Sequence, residues 1–128
     1  MREALPIRVE DPPADAVVVL RAGVMALSDL AAAAERTFDL YGIHGISVEL
    51  AIGVSVLDAC RSSRRLARYQ RIRLSSVGRV RGQGFALAAT FEYPHYTLVL
   101  PDASELTLAR LERCFDPPIP NPASGPDR

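Results

Sequence analysis

Between Ala16 and Leu20 the chain runs through five apolar residues without a break, AVVVL, and three of them are β-branched. A short uninterrupted run of this kind predicts a buried strand. The spacing then changes. In SDLAAAAERTFDLYG (28–42), Leu30, Ala34, Phe38 and Tyr41 fall at helical intervals on one face. Ser28 can cap this helix, and Gly42 can supply the left-handed residue that ends it. ISVELA (46–51) predicts a second strand. Ser55 and Asp58 are spaced as a capping box, with Asp where Glu or Gln is usual. They open a second helix that runs to about Arg68, with Val56, Leu57, Cys60 and Leu66 on its apolar side.

QRIRLS (70–75) alternates polar and apolar positions and predicts a half-exposed strand. Residues 76–84 predict a short helical turn. FALAATF (85–91) and YTLVL (96–100) predict two further strands. The EYPH between them connects, because Pro94 cannot sit in a central strand. Asp102 and Glu105 cap a last helix, LTLARLERCF (106–115). This order predicts one α/β or α+β domain over 16–116, a mixed central sheet of about five strands with three main helices. Asp11-Pro12-Pro13 keeps residues 1–15 extended or loose. Five prolines in the 12 residues after Asp116 predict a flexible, polyproline-like tail over 117–128.

A length of 128 residues suits a single domain, and 48% apolar residues suffice for a core without disulfides. No apolar run approaches the roughly 20 residues that span a bilayer. The stretch MREALPIRVEDPPADA carries prolines and charges where a signal peptide needs an apolar segment. These features predict a soluble, cytoplasmic protein without a membrane partner. Cys60 and Cys114 sit among apolar neighbours in predicted helices and read as small buried hydrophobes. With no histidine pair beside them they make no metal site, and no cofactor is expected.

Charge changes the picture. The chain is neutral, but residues 1–60 carry four arginines against nine acids (−5), residues 61–91 eight arginines and no acid (+8), and residues 92–128 three arginines against six acids (−3). Lysine is absent, as GC-rich codon usage produces, so the preference for arginine is partly genomic. Arg61, Arg64, Arg65 and Arg68 recur at i, i+3, i+4, i+7 and would form one stripe on the second helix. Arg71 and Arg73 share one face of the following strand, and Arg79 and Arg81 follow in the next turn. A merged patch of this kind fits a polyanion, RNA or DNA phosphate first. It also fits a solvated face paired with acids from elsewhere, and then a dock for an acidic protein. Only Tyr69 lies within the block, so base stacking has little support.

Candidate chemistry rests on two histidines. His44 sits in YGIHGISV at a strand entry, and His95 in FEYPHYTLV beside Glu92. A carboxylate, an imidazole and an arginine can cleave RNA without metal: Glu or His takes the 2′-hydroxyl proton and Arg stabilises the phosphorane charge. Glu92, His95 and His44 are therefore the candidate catalytic residues. There is no GxxxxGK[ST], GxSxG, HExxH or CxxC. The glycines of GRVRGQG do not match GxGxxG and serve a turn.

The segments LRAGVM, YGIHGISV, RLSSVG, PHYTLVLP and FDPPIPNP together resemble a family of small proteins from high-GC bacteria that carries no assigned activity. More loosely, Arg21 with Gly23 after a first strand, and GIS (45–47) opening a second, is similar to the layout of ADP-ribosyltransferase-like domains. That resemblance implies a nicotinamide dinucleotide held by Arg21 and Ser47, with Glu92 standing in for the late glutamate.

The reading that follows is a small bacterial protein that binds or acts on RNA, toxin-like, from a two-gene toxin–antitoxin or phage-defence cassette. It has Arg61, Arg64, Arg65, Arg68, Arg71 and Arg73 on phosphate. The alternatives are a non-catalytic subunit that docks a protein partner or a second copy of itself, and an ADP-ribosyltransferase-like enzyme.

Overall fold

The computed structural model describes residues 3–22, 27–63, 66 and 68–123. Their order is β1 (Ile7–Arg8), β2 (Val17–Ala22), α1 (Leu27–Tyr41), β3 (Gly45–Ala51), α2 (Val56–Ser62), β4 (Arg71–Ser76), α3 (Val77–Gly82), β5 (Ala86–Thr90), β6 (His95–Val99), α4 (Glu105–Glu112) and β7 (Ile119–Pro120). The strands form one sheet in the order β1-β5-β6-β3-β2-β4-β7. Each of its pairings is antiparallel. The five strands and three main helices expected from patterning are present, and the antiparallel pairing makes the domain α+β. The two-residue strands at the edges come from the flanks: Ile7–Arg8 pairs with β5, and Ile119–Pro120 with β4.

Alternation along the strands sorts side chains onto two faces. Val18, Leu20, Ile46, Val48, Leu50, Tyr96 and Leu98 project to the first, where they pack with Leu30 and Ala34 of α1, Val77 and Val80 of α3, and Leu108 and Leu111 of α4. On the second face Val19 and Ile72 pack with Cys60 of α2 and with Leu66. Cys60 and Cys114 are buried and unpaired. The same face carries a polar group toward β5: Ser47 and Glu49 on β3, His95 and Thr97 on β6 and Thr90 on β5 fall in register there.

The second helix is shorter than its pattern implies. It ends at Ser62, and Ser63 leaves it in extended backbone (φ −101°, ψ 109°). Ser63 Oγ donates to Glu49 Oε2 (3.1 Å) and accepts from the Leu66 amide (3.1 Å). A serine that engages the amide three residues on restarts the chain instead of continuing the helix. Arg61 and Arg68 therefore share no helical stripe. Arg64 and Arg65 lie outside the described residues.

The last helix was expected to be capped by Asp102 and Glu105; its N-cap is instead Ser104, whose Oγ accepts from the Thr107 amide, and Asp102 braces that cap while Glu105 opens the helix. The Asp102 carboxylate accepts from Thr107 Oγ1 (2.6 Å), Ser104 Oγ (2.7 Å) and the Ser104 amide (3.0 Å). These bonds, Thr107 first, hold its carboxyl down at about 2 against an ordinary 3.8. A depressed carboxylate contributes stability in full above its unfolded pKa and loses it as pH falls through the folded value. The wild type should thus lose this contribution between about pH 4 and pH 2, and Asp102→Asn should lack that part of the acid dependence. Melting curves of the two at neutral pH and near pH 2.5 check it. An equal acid-induced fall in both would contradict it.

Candidate functional site

β2 ends in Arg21, and β3 opens beside it with Gly45, Ile46 and Ser47. Around these residues α1 contributes Ala33, Arg36 and Thr37, and the turn before β4 contributes Arg68 and Tyr69. Together they line a cleft of about 200 Å³. Arg21 Nη1 donates to Tyr69 Oη (2.8 Å), and its guanidinium lies 5.3 Å from the Tyr69 ring centroid, so its position is set before any ligand arrives. Arg36 and Arg68 are exposed and Arg21 is half-buried. Among the described residues no carboxylate lines the cleft. Three arginines thus face one small cavity, and the local potential there is positive.

The floor of the cleft is tightly drawn. A Cβ at Gly45 would stand 2.6 Å from Thr97 Cγ2 and 3.2 Å from Thr37 Cγ2, so β6 and α1 close on β3 there only around glycine. The turn that carries Arg68 and Tyr69 is held from the C-terminal segment. Asn121 is buried between two prolines, and its Nδ2 donates to Leu66 O (2.9 Å) and Tyr69 O (2.8 Å) while its amide donates to Gln70 O (2.8 Å). Asn121→Ala would leave two carbonyls without these donors, at about 1–3 kcal/mol each when buried. It is expected to lower the melting temperature by roughly 5–15 °C. A melting curve within a degree or so of wild type would show that the tail does not hold the turn.

The arginine block is divided by the fold. Arg73 was expected on phosphate, and the structure corrects this. Its side chain is 7% exposed and pairs with Glu112 (2.9 Å). It also donates to Asp116 O (2.7 Å), Phe115 O (2.8 Å) and Glu112 O (3.3 Å). It closes the end of α4 onto β4. Arg79 pairs with Asp116 and Arg81 with Asp11, each at 2.9 Å. Arg61, Arg68 and Arg71 are exposed and carry no ion pair among the described residues. Arg68 alone of the described candidates lines the cleft.

The proposed acid–base pair is not assembled. His95 Nδ1 lies 2.8 Å from Thr90 Oγ1, which also bonds Thr97 Oγ1 (2.8 Å), and its ring meets Phe91 edge-on at 5.2 Å. The Glu92 side chain is exposed in the β5–β6 turn and makes no hydrogen bond or ion pair among the described residues. His44 is elsewhere: it stacks on Phe38 at 4.4 Å, with Nε2 3.6 Å from Glu35 Oε1. Its carbonyl accepts from Leu100, five residues along the chain from His95. That separates the two backbone positions by roughly 17 Å at the usual strand rise. Arg21 and Ser47, the pair implied by the ADP-ribosyltransferase-like layout, do meet in the cleft. Glu92 does not join them, because it sits at the opposite end of β3, beyond the position where Leu50 bonds Pro94.

Patterning alone did not point to Arg36, Thr37, Asn121 or Glu49 as site residues. Glu49 had a signal, an acid inside the apolar run ISVELA. It is buried beside Cys60, whose thiol is pushed up to about 11, first by burial and then by the Glu49 charge. Among the described residues no three His, Cys, Asp or Glu side chains group to hold a metal, and no helix is long and apolar enough to cross a membrane. The fold and cleft thus define a small α+β domain with an arginine-lined cleft at one end of its sheet. Comparison with known protein families, with curated proteins and with solved structures finds no match.

Proposed function

We propose that the protein binds single-stranded RNA, seating one backbone phosphate in the Arg21–Arg36–Arg68 cleft. The observation that carries this reading is the convergence of three arginines, from β2, α1 and the turn before β4, on a cavity whose lining holds no acid among the described residues. At about 200 Å³ the cavity falls below the roughly 300–1,000 Å³ of sites that enclose a whole small ligand. It suits one group of a larger ligand and is too small for a dinucleotide. A flexible single strand can lower a phosphate into it where a stiff duplex cannot. Arg71 pairs with Ala22 at the same end of the sheet, with its side chain on the face opposite Arg21. Ser47 offers a hydroxyl that can meet a ribose 2′-OH.

On this reading the protein is an RNA-binding component of the toxin–antitoxin or phage-defence kind, and its task is binding. The test is fluorescence polarisation with a labelled single-stranded RNA and with DNA of the same sequence. Arg68→Gln should weaken RNA binding about tenfold and flatten the salt dependence by about one phosphate contact. RNA affinity equal to wild type at every salt concentration would refute the proposal.

A further inference from the structure

A second cavity lies at the opposite end of β2, on the helical face of the sheet. It occupies about 340 Å³ between α3 and the end of α4, and its lining includes Arg79, Arg110, Arg113, Gln83 and Gly82. Three arginines converge on it, and among the described residues no carboxylate lines it. Arg79 shares its charge with the exposed Asp116. Arg110 and Arg113 have no ion pair among the described residues. The Arg110 guanidinium is fixed 5.0 Å from the Phe85 ring centroid, and its buried Nε has no hydrogen-bond partner. An orphaned buried donor is rare in a folded protein because desolvating it is costly. The three arginines also act together on the Cys114 thiol in the cavity wall: burial raises its pKa, and all three oppose that rise.

Gly82 borders the same cavity. A Cβ there would meet nothing within 4 Å, and its φ lies outside the left-handed region. Neither packing nor backbone geometry demands glycine at this position. Its absent side chain leaves the cavity wall open.

We propose that this cavity binds a small anion carrying two or more phosphoryl groups. The volume lies within the range of small-molecule sites. Guanidinium forks match phosphoryl oxygens in pairs, and the Gln83 amide can add a neutral donor. The Phe85 ring is already covered by Arg110, so that face is not open for a nucleobase to stack on.

The experiment is calorimetric titration of the full chain with inorganic pyrophosphate in physiological salt. The expected result is one saturable site. Arg113→Gln, which alters an exposed side chain, should weaken binding tenfold or more. Gly82→Phe should do the same without changing any charge. Arg21→Gln/Arg68→Gln should leave pyrophosphate binding unchanged, which keeps this proposal separate from the RNA cleft. Arginines at a helix C-terminus also suit the helix dipole, so melting curves are recorded with and without pyrophosphate. A purely structural role predicts that Arg113→Gln lowers the melting temperature while pyrophosphate still raises it as in wild type. That outcome, no saturable binding up to about 10 mM, equal competition by chloride, or loss of binding only in the Arg21→Gln/Arg68→Gln protein would each overturn the proposal.

Discussion

Arg73→Ala is expected to lower the melting temperature by roughly 10–20 °C, the largest stability loss of any single arginine replacement in this chain. The side chain is buried, pairs with Glu112 and donates to the carbonyls of Asp116, Phe115 and Glu112. The Glu112 side chain is 37% exposed and can be solvated, so the loss falls mainly on the carbonyls left without their donor, at about 1–3 kcal/mol each when buried. They include the carbonyls that end α4, which find no partners inside the helix. Arg73→Met combined with Glu112→Leu removes both charges and should recover part of the loss, but not the carbonyl bonds. Arg79→Gln and Arg81→Gln break exposed pairs with Asp116 and Asp11 and should each cost about 1 kcal/mol or less. An Arg73→Ala protein that melts within a few degrees of wild type would mean that the end of α4 is held by something else.

Replacing Arg21 and Arg68 together by glutamine is expected to weaken RNA binding about 100-fold while the fold survives. A charge-assisted hydrogen bond contributes about 1.5–3 kcal/mol, and the exposed Arg68 belongs at the lower end of that range. Arg21 is pre-positioned by Tyr69, so less freedom is lost when it meets a phosphate. Tyr69→Phe removes the 2.8 Å bond but leaves the ring under the guanidinium, and should cost only a few-fold. The salt dependence should flatten by about one to two phosphate contacts in the double variant. Polarisation titrations over a series of salt concentrations read both quantities. If the double variant keeps the wild-type slope, the phosphate is held elsewhere.

Much of the sheet was legible because its strands carry strong local signals. AVVVL and YTLVL are uninterrupted apolar runs, and Leu30 with Ala34 marks the buried face of α1. The arginine block was legible as a block but not as a surface. QRIRLS reads as half-exposed, yet the face that carries Arg73 is covered by the end of α4, about forty residues further on. No local pattern records that cover. The stripe from Arg61 to Arg68 failed at a single residue, Ser63, whose hydroxyl is committed to Glu49 and to Leu66.

The cleft shows the same limit. Arg21, Arg36 and Arg68 belong to three segments, and only the packing of α1 and the turn before β4 against the start of β3 brings them together. Asn121 was hidden by composition. Proline on either side implies an irregular tail, but the partners of its amide are the carbonyls of Leu66 and Tyr69, distant in sequence.

The most direct test of the account is an NMR titration that follows the arginine Nε–Hε resonances as a short single-stranded RNA is added. The prediction is that Arg21, Arg36 and Arg68 shift together with one saturation curve, while Arg73, Arg79 and Arg81, already paired with acids, stay in place. Shifts spread over the paired arginines, or an unmoved Arg21–Arg36–Arg68 set, would contradict it.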